Sequence, residues 1–221
     1  MANSTSPTAA PPAAWCSGKT ETPKPAKQKD KKKYDKTEQE PKNDIIMELK
    51  KILATRRSVR KYLDRQVEKE VLQRVVDMAL SAPSSRNTRS TRLWVVTDKS
   101  QLATISQMRD YGAAFVKDAP AAILVMGDKD KSDLWLDNCA ITATILQLAA
   151  VDEGLASCWV HVNDRPVKRE ESDGEKADTL LRRELGIPEN YGILCAIALG
   201  YSDFQPAALP AYEGEERVKW L

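Results

Sequence analysis

The sequence predicts a domain of the α/β or α+β class, in which helices cover a buried sheet. Apolar runs of five to seven residues, which are typical of buried strands, alternate with longer segments whose apolar residues recur every three or four positions. Only four such strands are found, and they are widely spaced along the chain. This spacing argues against a β-sandwich or a β-barrel.

Residues 1–43 differ in composition from the rest of the chain. They are rich in Ala, Pro, Ser and Thr and then in lysine, and nine lysines against five acidic residues give them a net charge of +4. Residues 44–221 therefore carry −2. We predict a disordered leader at 1–43, because so polar a segment cannot offset its ordering entropy, and one folded domain at 44–221. A lysine tail can bind an anionic surface, but a solubilising leader is the more general interpretation, and we expect no nucleic-acid partner.

The first half of the domain contains two helices and a strand. A helix capped by Asn43 or Asp44 carries an apolar stripe and ends near Arg56. A second helix spans Glu68–Ser81, and a proline stops it. The apolar run Leu93–Thr97 follows as the first strand.

A long helix at Asp133–Glu153, with Ser132 as its cap and Gly154 after its end, is apolar on nearly its whole circumference. A helix of this kind is buried, so we expect it at the centre of the fold, at a subunit interface, or both. The remaining elements are the helices Gln101–Met108 (capped by Ser100), Ala113–Val116 and Ala177–Leu185, and the strands Ala121–Gly127, Leu155–Val160 and Ile193–Leu199.

The stretch ATRRSVRKY, at Ala54–Tyr62, is the first candidate binding segment. The guanidinium groups of Arg56, Arg57 and Arg60 are permanent cations with a rigid fork of donors, which suits a phosphate or another delocalised anion. The hydroxyl of Ser58 can add one more donor. A solvated basic helix face is the alternative interpretation of the same residues.

The loop SAPSSRN, at Ser81–Asn87, is the second candidate segment, because its small polar residues let backbone and hydroxyl groups approach a ligand. Two such polar segments on an apolar scaffold favour a cofactor with a charged tail and a flat polar head.

The sequence contains no evident catalytic nucleophile or metal site. The cysteines form no CxxC pair, and His161 is the only histidine, so a His/Cys metal site of the usual spacing is excluded. Neither GxGxxG nor a P-loop nor GxSxG is present. Cysteines in apolar runs and the lack of an apolar segment of 18 residues favour a reducing, cytoplasmic location without a membrane span. Chemistry carried by a cofactor fits this profile, and we predict no catalytic side chain and no metal.

The sequence contains five motifs that resemble, in type and in order, those of the FMN-dependent nitroreductase family. RRSVRKY, SAPSSRN, a strand with a long apolar helix, GLASCWV and LGIPENYGILCAIALGYSD follow one another over Ile45–Asp203. The resemblance implies an α+β homodimer with three layers, in which helices flank a mixed, mostly antiparallel sheet. It also implies two FMN sites at the dimer interface, each built from both subunits.

The resemblance also implies the cofactor-binding residues. The first group would contact the phosphate, ribityl chain and pyrimidine edge of FMN, the second would reach the flavin from the other subunit, and the third would lie beside the isoalloxazine. These groups are Arg56, Arg57, Ser58 and Arg60; Pro83, Ser84, Ser85 and Asn87; and Ser157, Cys158 and Trp159.

The chain departs from the family pattern in two places. Arg89 and Thr91 replace a glutamine and a tryptophan that often follow the serine loop, and Ala207–Pro210 is neutral where many members carry a basic residue for the phosphate. Arg217 or Lys219 could replace that basic residue if the tail folds back.

The implied activity is NAD(P)H-dependent reduction of a nitroaromatic, a quinone or a similar small acceptor through FMN, in a ping-pong cycle. NADH and NADPH both remain open as the donor. The alternatives are a flavin- or anion-binding protein without turnover, and a reductive dehalogenase or flavin-modifying enzyme on the same scaffold.

Overall fold

A four-stranded sheet forms the centre of the domain. The computed structural model of the chain describes residues 48–205, 207, 210 and 217–221, so the leader predicted at 1–43 and its neighbouring helix caps lie outside the described residues. The strands are ordered β1-β2-β4-β3, and each neighbouring pair is antiparallel. In chain order the elements are α1 (Leu49–Thr55), α2 (Lys69–Leu80), β1 (Thr91–Val96), α3 (Lys99–Ser106), β2 (Ala121–Asp128), α4 (Trp135–Asp152), β3 (Ala156–His161), α5 (Ala177–Leu185) and β4 (Tyr191–Gly200).

The sheet is buried on both faces, as alternation of side chains along its central strands requires. On β2, Ile123 and Val125 face a cluster formed with α2 and α4, whereas Leu124 and Met126 face a cluster formed with α3 and α5. The three-layer α+β arrangement is therefore confirmed. A single parallel bridge from Ser58 at the outer edge of β3 makes the pairing mixed.

Helix α4 approaches the sheet closely because two glycines leave room for an indole ring. Gly127 on β2 and Gly192 on β4 are register partners, and Trp135 in the first turn of α4 lies over both. A Cβ atom at Gly192 would lie 2.5 Å from the Trp135 ring. The first turn of α4 is thus fixed to the sheet by a contact that only glycine permits.

Five of the six predicted helices are α-helices, and the one predicted at Ala113–Val116 is a 3-10 helix at Ala114–Asp118. Three of the α-helices begin at a different residue from the prediction. Helix α1 begins at Leu49 with Glu48 in an extended conformation. The side chain of Asp98, rather than Ser100, caps α3 by accepting the backbone N–H groups of residues 100 and 101. Helix α4 begins at Trp135, two residues later than expected. Capping residues next to each other are interchangeable in the sequence, and only the backbone geometry selects one.

Candidate functional site

The arginine-rich segment lies along the open edge of the sheet. Strand β3 is an edge strand, and Ser58 forms a parallel bridge with Ser157. The backbone N–H of Val59 donates to the carbonyl of Ser157 at 3.0 Å, and the Val59 side chain is buried. The segment 56–60 is therefore brought next to 157–159, as the resemblance implies for the first and third groups of residues.

A second set of contacts fixes the segment from its C-terminal side. The hydroxyl of Tyr62 lies 2.8 Å from the carbonyl of Val59 and 3.3 Å from that of Ala198. The N–H of Leu63 donates to the carbonyl of Tyr201 at 2.8 Å. Burial raises the pKa of the Tyr62 hydroxyl, so this side chain remains a protonated donor. The arginine-rich segment is thus held between β3 and the end of β4.

The arginines of this segment differ in how much of their bonding capacity is used. The guanidinium of Arg57 donates to the carbonyls of Ala54 at 2.9 Å, Arg56 at 2.7 Å and Ala207 at 3.2 Å. Within the described residues, Arg56 and Arg60 form no ion pair with a carboxylate. Their charge is therefore available to an anionic ligand, whereas Arg57 fixes the backbone around them.

The side chains of Ser157 and Cys158 are buried, at 1% exposure each. Burial raises the pKa of the Cys158 thiol, although the nearby Arg60 and a hydrogen bond from Ser58 partly oppose the change. A buried, protonated thiol packs and is a poor nucleophile. At this position β3 therefore offers its backbone, and the partly exposed ring of Trp159, to a ligand.

The register of β3 shows which backbone groups face the open edge. The N–H of Val162 donates to the carbonyl of Leu194 at 2.9 Å, so alternate residues 158, 160 and 162 pair with β4. The N–H and C=O groups of Trp159 and His161 then point away from β4. Beyond the Ser58 bridge, the part of the chain that the structure describes places no strand against them.

Trp159 and His161 stack on one face of β3. Their rings are 6.2 Å apart and inclined by 9°, and the indole N–H of Trp159 lies 3.4 Å from Nδ1 of His161. Burial and then the charges of Arg165 and Arg109 lower the pKa of His161, so the imidazole is neutral at pH 7. With Nδ1 as the acceptor, Nε2 carries the proton and is a donor.

The serine loop adopts a conformation that side chains rarely accept. Arg86, Asn87 and Arg89 have φ angles of 50°, 52° and 47°. The hydroxyl of Ser84 accepts the N–H of Arg89 at 2.9 Å, and the N–H of Ser85 donates to Oδ1 of a buried asparagine at 2.8 Å. Strain of this kind persists only where neighbouring contacts enforce it, and it concentrates at functional sites.

Asn138, on the first turns of α4, is the buried asparagine that holds the loop. Its amide nitrogen lies 3.0 Å from the hydroxyl of Ser90 and 3.2 Å from that of Ser132, while its oxygen accepts from Ser85. Asn138 is not among the residues predicted from the sequence. A polar amide within an otherwise apolar helical run was the available signal, because buried amides need partners.

The structure does not join all the predicted residues within one chain. The serine loop, with Pro83, Ser84, Ser85 and Asn87, precedes β1 at one edge of the sheet, whereas the arginine-rich segment lies against β3 at the other. A cavity of about 230 Å³ borders Arg57 and Ser157, and another of about 500 Å³ borders Ser84. Each group thus lines its own groove, and a single site can contain both only if two chains contribute to it.

A family model described as the nitroreductase family matches residues 53–110 and 101–201. The chain belongs to this family. A relative from Methanothermobacter thermautotrophicus, named provisionally as an NADH dehydrogenase/NAD(P)H nitroreductase, is 32% identical over 170 residues, which are 76% of this chain and 84% of that protein.

Two further proteins similar to this chain have names that contain FMN. The FMN reductase [NAD(P)H] of Bacillus subtilis is 30% identical over 52% of this chain and 47% of its own length. The solved structure of an FMN-dependent nitroreductase from Clostridium difficile R20291 is 39% identical and superposes with a TM-score of 0.71, covering 76% of this chain and 96% of that one. Among the helices that the structure describes, none combines the length and apolarity that crossing a bilayer would require.

Proposed function

We propose that this nitroreductase-family protein is an FMN-dependent oxidoreductase that takes electrons from NADH or NADPH and passes them to a small acceptor. Nitroaromatics and quinones are the acceptor classes, and donor and acceptor alternate at one site in a ping-pong cycle. The observation that carries the proposal is the attachment of the segment around Ser58 to Ser157 at the open edge of β3. This contact places free guanidinium groups beside a strand edge that has unused backbone donors.

The residues present fit FMN. Arg56 and Arg60 offer permanent charge to a phosphate, and Ser58 is exposed beside them. The outward N–H and C=O groups of Trp159 and His161 match a flat ring system with donors and acceptors along one edge. When bound, FMN supplies reversible hydride chemistry, and the protein binds it, orients it and limits access of water. No side chain of this chain is assigned as an essential acid or base.

A homodimer would complete this site. Helix α4 leaves Leu136 and Ile141 39% and 41% exposed, and α1 leaves Leu49 and Leu53 63% and 52% exposed. Large apolar side chains concentrated on two neighbouring helices mark an interaction surface. A second copy seated on this surface would bring its serine loop, with Ser85 and Asn87, to the arginine-rich segment of the first chain.

A cytoplasmic location accords with the thiols. Cys139, Cys158 and Cys195 are all free and buried in the described part of the chain. Burial raises the pKa of the Cys139 thiol to about 12, so it remains protonated. Reduced thiols packed in a core are typical of a reducing compartment.

Visible absorption of the purified protein, recorded before and after anaerobic addition of NADH or NADPH, tests the proposed function. We expect a flavin spectrum that bleaches with at least one donor and returns when a nitroaromatic or a quinone is added. A flavin spectrum that neither donor bleaches would favour a binding protein without turnover. A colourless protein that cannot be reconstituted with FMN would contradict the proposal.

A further inference from the structure

A second group of arginines lies near Tyr111 and near His161, the last residue of β3. The guanidinium carbon of Arg109 lies 4.7 Å from the centre of the Tyr111 ring, and that of Arg169 lies 5.2 Å from it. The charge of Arg165, like that of Arg109, acts on His161 at the end of β3. We call Arg109, Arg165 and Arg169 the distal arginine cluster.

The guanidinium groups of the distal arginine cluster are not neutralised by direct ion pairs. Among the described residues, no carboxylate forms an ion pair with any of its three guanidinium groups. Asp110, Asp164 and Glu170 each adjoin one of these arginines in the sequence. Oδ1 of Asp110 accepts the backbone N–H of Arg169 at 3.1 Å, and Asp164 pairs with Lys176 at 3.5 Å. Nε of Arg109 is buried without a hydrogen-bond partner. A buried unpaired donor is costly, so this guanidinium has donor capacity that the described residues do not satisfy.

The position of the cluster relates it to the proposed FMN site. Ser157, where the arginine-rich segment attaches, and His161, beside the distal cluster, are four residues apart on β3, a separation of about 13 Å at the usual rise of a strand. Cationic groups thus lie at both ends of the same open strand edge. The group at Ser58 suits the FMN phosphate, which leaves the distal cluster for a different anion.

We infer that the distal arginine cluster binds a phosphate group of the reduced nicotinamide nucleotide. This inference rests on the proposed function. The donor carries a pyrophosphate, and NADPH a further phosphate, whereas quinones and simple nitroaromatics are uncharged. A guanidinium fork matches phosphate oxygens, and the Tyr111 ring holds two of the forks in place. A cluster of three arginines that are not neutralised by direct ion pairs therefore selects the donor over the acceptor.

The FMN-loaded double variant Arg165→Gln/Arg169→Gln tests the inference. Both residues are exposed, so the variant should fold. We expect the Kd for NADP⁺, measured by calorimetry at low salt, and the KM for NADPH each to rise about tenfold, as loss of charge-assisted hydrogen bonds predicts, while kcat and FMN content stay unchanged. Arg183→Gln is the matched control, because Arg183 already pairs with Glu175 and Glu184.

The single histidine provides a readout independent of turnover. In a protein without a histidine tag, we expect 2′,5′-ADP to shift the NMR signals of the His161 ring in the wild type and in the Arg183→Gln control. We expect no such shift in the double variant. Unchanged NADP⁺ affinity in the double variant would overturn the inference. The inference would also be overturned if the double variant raised the KM for the anionic acceptor 4-nitrobenzoate, relative to neutral 4-nitrobenzamide, and left donor binding unaffected. Absence of FMN from the wild type would instead refute the proposed function.

Discussion

At the scale of single residues, neighbouring arginines have different roles because their surroundings differ. The guanidinium of Arg57 donates hydrogen bonds to three backbone carbonyls, whereas Arg56 and Arg60 form no ion pair within the described residues. The sequence presents the three as equivalent cations. The structure distinguishes a residue that holds the segment from two that form no ion pair, one of which, Arg60, lies 5.9 Å from the centre of the Phe115 ring.

Replacement of Arg56 by alanine should weaken FMN binding at least about tenfold, because a charge-assisted contact to the phosphate is lost. Titration of FMN fluorescence against the apoprotein measures the change. Arg183→Ala removes an exposed arginine elsewhere and should bind FMN like the wild type. Equal FMN affinity in the Arg56 variant would contradict the assigned role.

The carboxyl group of Glu68 makes the stability of the fold depend on pH in the acid range. Hydrogen bonds from Tyr201, at 2.6 Å, and Arg65, at 2.8 Å, lower the pKa of its carboxyl from 4.5 to about 2. A depressed carboxyl pKa stabilises the fold above the unfolded value, and this contribution is lost as the pH falls from about 4.5 to about 2.

The variant Tyr201→Phe should therefore be less stable than the wild type at pH 7, and this difference should shrink as the pH falls from about 4.5 to about 2. Urea unfolding at pH 7 and at acid pH measures it. Tyr191→Phe is a control for loss of a hydroxyl. A difference that stays constant across this range would show that Glu68 is not the group responsible.

At the scale of secondary-structure elements, the contact between α4 and the sheet depends on the absence of a side chain at one position of β2 and one of β4. Gly127 and Gly192 leave a bare patch that the Trp135 ring covers. This packing fixes the beginning of α4, and the beginning of α4 carries Asn138, which in turn holds the serine loop. The position of the serine loop thus depends in part on a glycine on a distant strand.

The substitution Gly192→Ala should destabilise the protein by about 1–3 kcal/mol, because the new methyl group overlaps the Trp135 ring. Chemical denaturation measures the loss. The second substitution Trp135→Leu should cost less in the Gly192→Ala background than in the wild type, since the smaller side chain relieves the overlap. Strictly additive effects of the two substitutions would argue against this contact.

At the scale of the whole molecule, the predicted binding residues fall into two groups at opposite edges of one sheet. Helix α4 spans the distance between them, with Asn138 near one group and Gln147 near Ser157 of the other. Nine helical residues separate these two side chains, which corresponds to about 14 Å along the axis. Two copies that pack through the exposed apolar residues of α1 and α4 would bring unlike groups together.

Co-expression of Arg56→Ala and Asn138→Ala subunits with different affinity tags tests whether the site is shared. In a dimer with shared sites, the mixed species should regain one intact FMN site, because one site then contains both defects and the other contains neither. FMN titration of the doubly purified species measures it, and an Arg56→Ala pair with both tags is the control. A mixed species with no restored site would place all binding residues within one chain. Ser84→Ala can replace the Asn138 variant if the latter does not fold.

Apolar periodicity alone determined the helices and strands of this protein, and therefore its class, because burial of apolar side chains dominates local conformation here. The chemistry of the residues, and not their periodicity, indicated the arginine-rich segment and the serine loop as candidate binding segments. The sequence could not reveal that Ser58 pairs with Ser157, that Asn138 holds the loop, or that Arg109 and Arg169 both lie against the ring of Tyr111. Those contacts join residues far apart in the chain. Only the strand order and the packing of α4 on two glycines decided them, since long-range geometry leaves no local pattern.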